Sequence, residues 1–366
     1  MRIGDILSAL EAVAPLGLQE DWDNSGLQVG SRLPECTGVL LCVDVTPAIV
    51  DEAINRGCNL IVSHHPLFFH PVKRLTGETI QQTAAMNAIA AGVSIYSCHT
   101  CMDNAPHGVS YVMAERLQLD EHRPLVNVAN RLLKLSVMVP ESHAGEVRLA
   151  LFEAGAGTLG NYDCCSYNIN GTGTFKALEG ANPFVGDINS LHYEQEVRID
   201  VLVPTWLRRQ VENALIEVHP YEEPAYEFTA ILNPDKHSGS GAMGIYNEPI
   251  TARQLVERVK KAFNSPVARC SAVPDDDVPI TRVALCGGAG GSFIQNAIAA
   301  GAQAYITSDT RYNEFIDNVP SLFIIDIGHF ESESCTKDIF YHIITEKFPN
   351  FAVYNSELEK NPISYL

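Results

Sequence analysis

The stretch Asn59-Leu60-Ile61-Val62-Ser63-His64-His65-Pro66 runs from an apolar segment into two adjacent histidines and closes on a proline that stiffens the turn. It reads as a buried strand ending in polar, metal-capable side chains. The same rhythm continues outward. Upstream, Val39-Leu40-Leu41-Cys42-Val43-Asp44-Val45 reads as another buried strand and Pro47 to Arg56 as a helix. Downstream follow a helix from Thr79 to Ala91, a strand from Val93 to Ser97 and a helix from about Val109 to Leu119. Short apolar runs separated by helical patterns predict βαβ units and a mostly parallel sheet. Before all of these, Ile3, Ile6, Leu7, Leu10 and Val13 recur at helical spacing, so the N-terminus reads as an amphipathic helix rather than a signal peptide.

The last third repeats the pattern. A strand from Arg282 to Cys286 runs into Gly287-Gly288-Ala289-Gly290-Gly291. After it come a helix from Phe293 to Ala300, strands Ala304 to Thr307 and Leu322 to Ile327, and a long helix from about Glu331 to Lys347. Phe351 to Tyr354 could add one more strand. The middle reads β-α-β-β-α-β: a strand Leu133 to Val139, a helix Ser142 to Ala154, strands around Cys165 to Phe175 and Glu196 to Pro204, a helix Trp206 to Val218 and a strand Ala225 to Leu232. That order is the split βαβ, ferredoxin-like pattern. Linkers are expected near Arg123 to Asn130 and near Asn233 to Gly244, the second of which is polar and Gly/Ser-rich. The expected plan is an α/β unit from residues 1–127 and 237–366, interrupted by an α+β insert at 128–236.

Composition narrows the function classes. Hydrophobic residues make up 46% of the 366, enough for sizeable cores and against a disordered chain. With 25 Lys and Arg against 44 Asp and Glu, the net charge of −19 disfavours nucleic acid as a partner. It also opposes long-range attraction of a nucleotide polyanion, so local cations would have to hold one. No run approaches a membrane span. Ten cysteines are too sparse for a disulfide scaffold, and a cytoplasmic location is expected.

The chemistry gathers at strand ends. His64 and His65 follow one strand, and Cys98-His99-Thr100-Cys101-Met102-Asp103 follows the next. Thr307-Ser308-Asp309 ends a third, and Asp326-Ile327-Gly328-His329-Phe330-Glu331-Ser332-Glu333 follows a fourth. Ligands of open α/β sheets bind beyond the carboxyl ends of the strands, so these sets would converge if both halves shared one sheet. His329 and Glu333, four apart, can face one way. Imidazoles with carboxylates suit Zn, Fe, Mn or Co, and a carboxylate such as Glu333 can bridge two ions. Asp309 and Asp326 also read as helix caps.

These motifs, together with Asp21-Trp22-Asp23-Asn24-Ser25-Gly26-Leu27-Gln28-Val29-Gly30, resemble the GTP cyclohydrolase 1 type 2 homologue family, also called NIF-three-like. The resemblance implies a three-layer α/β unit. It also implies two divalent ions per subunit, with His64 and Asp103 on one ion, His65 and His329 on the other, and Glu333 bridging. Gly173-Thr174-Phe175, Asn182-Pro183-Phe184-Val185-Gly186 and His219-Pro220-Tyr221-Glu222-Glu223-Pro224 resemble the PII-like or CutA-like insert of longer members, which implies a homohexamer. The expected activity is metal-dependent hydrolysis of a small, nucleotide-like molecule. GTP is the implied substrate, attacked by metal-bound hydroxide, and phosphoester hydrolysis is an equal physical alternative. Glu333, His99, Asp309 and Asp326 are the candidates for catalytic roles. The alternative class is a non-catalytic metal-binding regulator or metallochaperone with a ligand-sensing insert.

Several motifs have competing readings. Cys98 to Cys101 fits a C-x-x-C redox pair. Cys164-Cys165 reads as a strand pair. The run Gly287 to Gly291 could cradle phosphate or allow close backbone approach to the metal edge. His219 could be a second ligand or part of a rigid helix stop, and Asp23-Asn24 reads equally as pocket lining or turn cap.

Overall fold

The structure, a computed structural model, describes residues 1–318 and 321–365. In chain order the first strands are β1 (Gly26–Val29), β2 (Val39–Cys42), β3 (Leu60–Ser63), β4 (Ser94–Ser97) and β5 (Asp120–Asn127). The insert supplies β6 (Leu132–Pro140), β7 (Ser166–Lys176), β8 (Leu191–Pro204) and β9 (Tyr226–Ile231). The return segment gives β10 (Gly239–Ile250), β11 (Arg269–Cys270), β12 (Ile280–Leu285), β13 (Ala304–Thr307), β14 (Phe323–Asp326) and β15 (Val353–Asn355). The result is a mixed α/β architecture, with three sheets among the described residues.

The chain divides into two compact units, one of residues 1–127 with 236–366 and one of residues 128–235. Within the first unit the expectation of one shared sheet does not hold. Strands β1-β4-β3-β2-β15 form one sheet, and β11-β14-β13-β12-β10-β5 form another. Each half lends a strand to the other's sheet. β15 from the C-terminus pairs parallel with β2 (Val353 with Val39), and β5 from the first half pairs antiparallel with β10 (Asn127 with Gly239). Local pattern cannot reveal these long-range pairings.

The two stretches read as linkers are in fact largely strands. Most of Arg123 to Asn130 falls in β5, and the end of Asn233 to Gly244 falls in β10. The Gly/Ser composition reflects close backbone approach rather than looseness: a Cβ on Gly239 would lie 2.1 Å from the Val126 carbonyl oxygen. The chain therefore leaves for the insert and returns from it along a paired two-stranded stem.

The parallel strands behave as the sequence pattern predicts. β2, β3, β4, β13 and β14 are buried along their whole length, as expected for strands covered on both faces. The helices that cover them carry recognisable starts. Thr46 and Thr79 cap the helices Pro47–Asn55 and Ile80–Ala91, accepting backbone N–H bonds from Ile49 and Gln82. The long helix expected from Glu331 to Lys347 is split into His329–Glu333 and Thr336–Lys347.

β6, β7, β8 and β9 pair antiparallel in the order β7-β8-β6-β9, with helices Ala144–Glu153 and Arg208–Val218. Val197, Ile199, Val201 and Val203 alternate along β8 and pack with Val147, Leu151, Val211 and Leu215 of the helices. The strands near Cys165 to Phe175 are one strand. Cys164 lies before it at a φ of 56°, in a turn, so the strand-pair reading of Cys164-Cys165 is corrected.

Candidate metal centre

The site assembles at the carboxyl ends of strands from both sheets of the first unit. His64 and His65 follow β3, His99 follows β4, and Asp44 follows β2. Asp309 follows β13 and His329 follows β14. Glu333 sits one turn after His329 on a short helix, so the i, i+4 spacing does face both side chains one way: His329 Nε2 is 2.9 Å from Glu333 Oε2.

Glu333 occupies the middle. Its Oε2 is also 2.9 Å from His65 Nε2, and its Oε1 is 3.6 Å from His64 Nε2. Asp103 Oδ1 is 3.8 Å from the same His64 nitrogen. Among the described residues, two sets of ligand atoms lie close enough to hold an ion: His64, His65 and His99, and His65, His329 and Glu333. Of the ligands expected from the sequence, His64, His65, His329 and Glu333 fall in these sets, while Asp103 lies beside His64 but in neither. The geometry adds His99 as a further candidate ligand.

The remaining ring nitrogens fix the tautomers. His65 Nδ1 is held by Asp44 at 2.9 Å, His99 Nδ1 by Asp23 at 2.8 Å and His329 Nδ1 by Asp309 at 2.7 Å. His64 Nδ1 donates to the Cys98 carbonyl at 3.1 Å. A carboxylate or carbonyl behind each imidazole is the usual backing of a metal-ligating histidine, orienting the ring and leaving Nε2 for the ion. Asp44 was missed in the sequence because it looked like the polar end of a strand; its position one β-strand over from His65 was the available signal. Asp23 is resolved from its two readings. It accepts from Thr100 N–H at 3.1 Å and from the Ser25 hydroxyl at 2.8 Å while orienting His99.

Whether these residues fit a cation can be asked of the geometry directly. His64 is fully buried, its Nδ1 proton is committed, and its Nε2 has no hydrogen-bond partner. A buried, unpaired lone pair aimed at two carboxylates costs free energy unless a cation meets it. His65 Nε2 and His329 Nε2 approach to 3.3 Å beside one carboxylate. Without an ion, protons must fill that gap. Burial opposes charge on His65, but Asp44 and Glu333 raise it to about 10. Likewise Glu333 and Asp309 outweigh burial and raise His329 to about 9. Glu333 is held well below its ordinary range, the histidines outweighing its burial. Burial pushes Asp103 up to about 7, with His99 opposing and Glu333 adding to it. Two protons on facing imidazoles are what a divalent cation would replace, so the donor set fits.

Asp326 stands apart. Its oxygens accept from Thr310 N–H at 2.8 Å and Gly328 N–H at 3.1 Å and pair with Arg269. It therefore anchors the turn that carries His329, and the structure does not bring it into either ligand set. The glycine run resolves toward close approach. Gly288 has a φ of 64°, and a Cβ there would lie 2.1 Å from Glu333 Oε1. The N–H groups of Gly288 and Gly290 are taken by the Ser332 and Thr307 hydroxyls at 2.9 Å, so they are not free for phosphate. Cys98 and Cys101 are buried free thiols 3.5 Å apart, and their mutual contact together with burial pushes the Cys98 thiol far up, against a reactive thiolate. Both His219 nitrogens are spent, Nε2 on the Met138 carbonyl at 3.0 Å and Nδ1 on Tyr221 N–H at 3.1 Å, which is the turn-forming reading.

The fold and this cluster define a mixed α/β protein with a His/Glu centre able to hold a metal ion. The chain belongs to the Duf34/NIF3 (NGG1p interacting factor 3) family, whose profile matches residues 1–362. It is 34% identical over 366 residues to the GTP cyclohydrolase 1 type 2 homolog of Halalkalibacterium halodurans, covering 99% of this chain and 98% of that protein. It is 35% identical over 337 residues to the homolog of the same name from Mycobacterium leprae, covering 91% and 87%. Among solved structures it is similar to a Bacillus cereus protein related to NIF3, with a TM-score of 0.85, 34% identity and coverage of 100% and 99%. No helix among the described residues is long and apolar enough to cross a membrane.

Proposed function

We propose that this chain is a dinuclear metal-dependent hydrolase of a nucleotide-like substrate. The observation that carries the reading is the shared carboxylate: Glu333 presents Oε2 to His65 and His329 and Oε1 toward His64. One carboxylate placed between two sets of imidazoles is what a pair of neighbouring ions requires. His64, Asp103 and His99 would surround one ion, and His65 and His329 the other. When bound, two such ions lower the pKa of water and polarise the group under attack.

The chain's own residues supply the rest. Asp23 fixes His99 so that its Nε2 faces the cluster, which suits it to hold an ion or to pass a proton. Asp44 and Asp309 keep the flanking rings from turning. Trp22 and Phe69 meet the His99 ring edge-on at 5.8 and 5.6 Å. Phe69 also lines a cavity of about 490 Å3 with Phe68, His70, Lys73 and Arg74. In a chain of net charge −19 these cations are the local groups a phosphorylated substrate needs, and the aromatic rings suit a base. The relatives' name makes GTP the first substrate to try. The insert, with its β-α-β-β-α-β order and β7-β8-β6-β9 pairing, we read as ferredoxin-like and of the PII or CutA kind, within a homohexamer.

The test is formate and phosphate release from GTP by metal-loaded wild type beside Glu333→Gln. Formate lost in the variant supports the cyclohydrolase reading. Phosphate alone, also lost, points to a phosphohydrolase. Neither product from a chain holding two ions favours the regulatory or metallochaperone reading.

A further inference from the structure

The insert carries a cavity that the hydrolase reading leaves unused. Its volume is about 490 Å3. Along β8, Val197 and Ile199 face the two helices, so Glu196 points to the opposite face of the sheet, where the cavity lies. Phe175, Phe184 and Tyr221 form an aromatic wall, with the Tyr221 ring 5.9 Å from Phe175 and 6.3 Å from Phe184. Met138 and Pro183 add apolar surface.

The polar groups in this wall are specifically placed. The Tyr221 hydroxyl donates to Glu196 Oε1 at 2.9 Å. Burial and that bond hold the phenol protonated, above its ordinary range. The other Glu196 oxygen lies against Gly173, where a Cβ would come within 2.1 Å; glycine at this position is what leaves room for the carboxylate. Glu222 accepts from Asn182 N–H at 3.1 and 3.2 Å, tying the β7–β8 connection to the turn after Val218. Glu223 completes the lining, and Lys176 is its one Lys or Arg. Among the described residues no Lys or Arg forms an ion pair with Glu196, Glu222 or Glu223.

We propose that this cavity binds an organic cation: an amine or guanidinium attached to an apolar or aromatic body. Ring faces attract cations, more strongly as water is excluded. The carboxylates that lack a cation of their own add charge complementarity, while the same carboxylates repel an anion. The apolar surface asks for a ligand larger than a metal ion. The proposal does not depend on the hydrolase reading, since its residues all belong to the insert.

The test is calorimetric titration of the full chain with benzyltrimethylammonium, benzyl alcohol and phenylphosphonate. The cation should bind at least roughly tenfold tighter than the neutral alcohol, and the phosphonate should not bind. Glu196→Gln, which keeps shape and removes charge, should weaken the cation by roughly tenfold, with secondary structure and metal content unchanged. Tyr221→Phe should weaken it less. Equal binding of cation and alcohol, an unaffected Glu196→Gln, or no cation binding up to roughly 10 mM would each overturn the proposal. So would sedimentation showing that the Phe184→Ser chain loses self-association while probe binding stays nil, since the wall would then be an interface between copies.

Discussion

His65 and His329 face each other across 3.3 Å, each with a carboxylate behind it and Glu333 between them. The backing carboxylates should matter nearly as much as the ligands. Asp44→Asn leaves the ring in place but removes the charge that makes it basic, so metal affinity should fall about 10- to 100-fold, read by chelator competition. Unchanged affinity would remove Asp44 from the site. The raised pKa values give a second expectation. A group whose folded value lies above its unfolded one, here about 6.5 for histidine, stabilises the metal-free chain fully below that pH. That stabilisation fades as pH rises through about 9 for His329 and about 10 for His65. Stripped protein should therefore lose Tm between neutral pH and about pH 10, while loaded protein loses less. Loading near neutral pH should also release protons, seen as reaction heats that vary with the buffer. A flat Tm for stripped protein would contradict the assignment. Gly288→Ala should abolish metal retention, because the new Cβ lands on Glu333 Oε1 and the residue must hold a φ of 64°.

Elements divide into those the sequence disclosed and those it hid. The parallel strands were legible because they are short, continuous apolar runs ending in His or Asp, and burial on both faces leaves no polar interruption. β5 and β10 were hidden. Pro124 and the glycines of β10 belong to turn chemistry by local rules, and only the pairing of Asn127 with Gly239 makes them strands. β1 was quoted as a motif without being seen as an edge strand, since its partner β4 lies about 70 residues away in sequence. The candidate site was legible where possible ligands cluster in sequence, as in His64-His65 and His329 to Glu333. It was illegible where an orienting group follows a neighbouring strand, as with Asp44 after β2. The stem carries a prediction of its own. Residues opposite one another in an antiparallel pair lie about 5 Å apart, so a short turn can close them. Replacing residues 128–235 by a two- to four-residue Asn-Gly turn should leave a folded unit with the same metal content per chain, checked by circular dichroism and elemental analysis. A chain that aggregates or loses its metal would mean that the insert is needed for the fold of the first unit.

At the scale of the whole molecule, two sheets that exchange a strand each supply one side of a single centre. β2, β3 and β4 carry Asp44, His64, His65 and His99, while β13 and β14 carry Asp309, His329 and, one turn on, Glu333. The relatives' cyclohydrolase name and the net charge of −19 pull in opposite directions for a polyanionic substrate. On the proposed reading, Lys73 and Arg74, in the cavity beside Phe69, would reconcile them. The double variant Lys73→Gln and Arg74→Gln should raise KM for a nucleotide triphosphate roughly tenfold or more with kcat little changed, and should flatten the salt dependence of kcat/KM. A fall in kcat at constant KM would place these cations elsewhere in the mechanism. All of this rests on Glu333 joining two ions. The most direct measurement is the number of divalent ions retained per chain after loading and exhaustive dialysis, by elemental mass spectrometry, for wild type and Glu333→Gln. The account predicts two for wild type and fewer than one for the variant, with the fold intact by circular dichroism. One ion in wild type, or two in the variant, would contradict it.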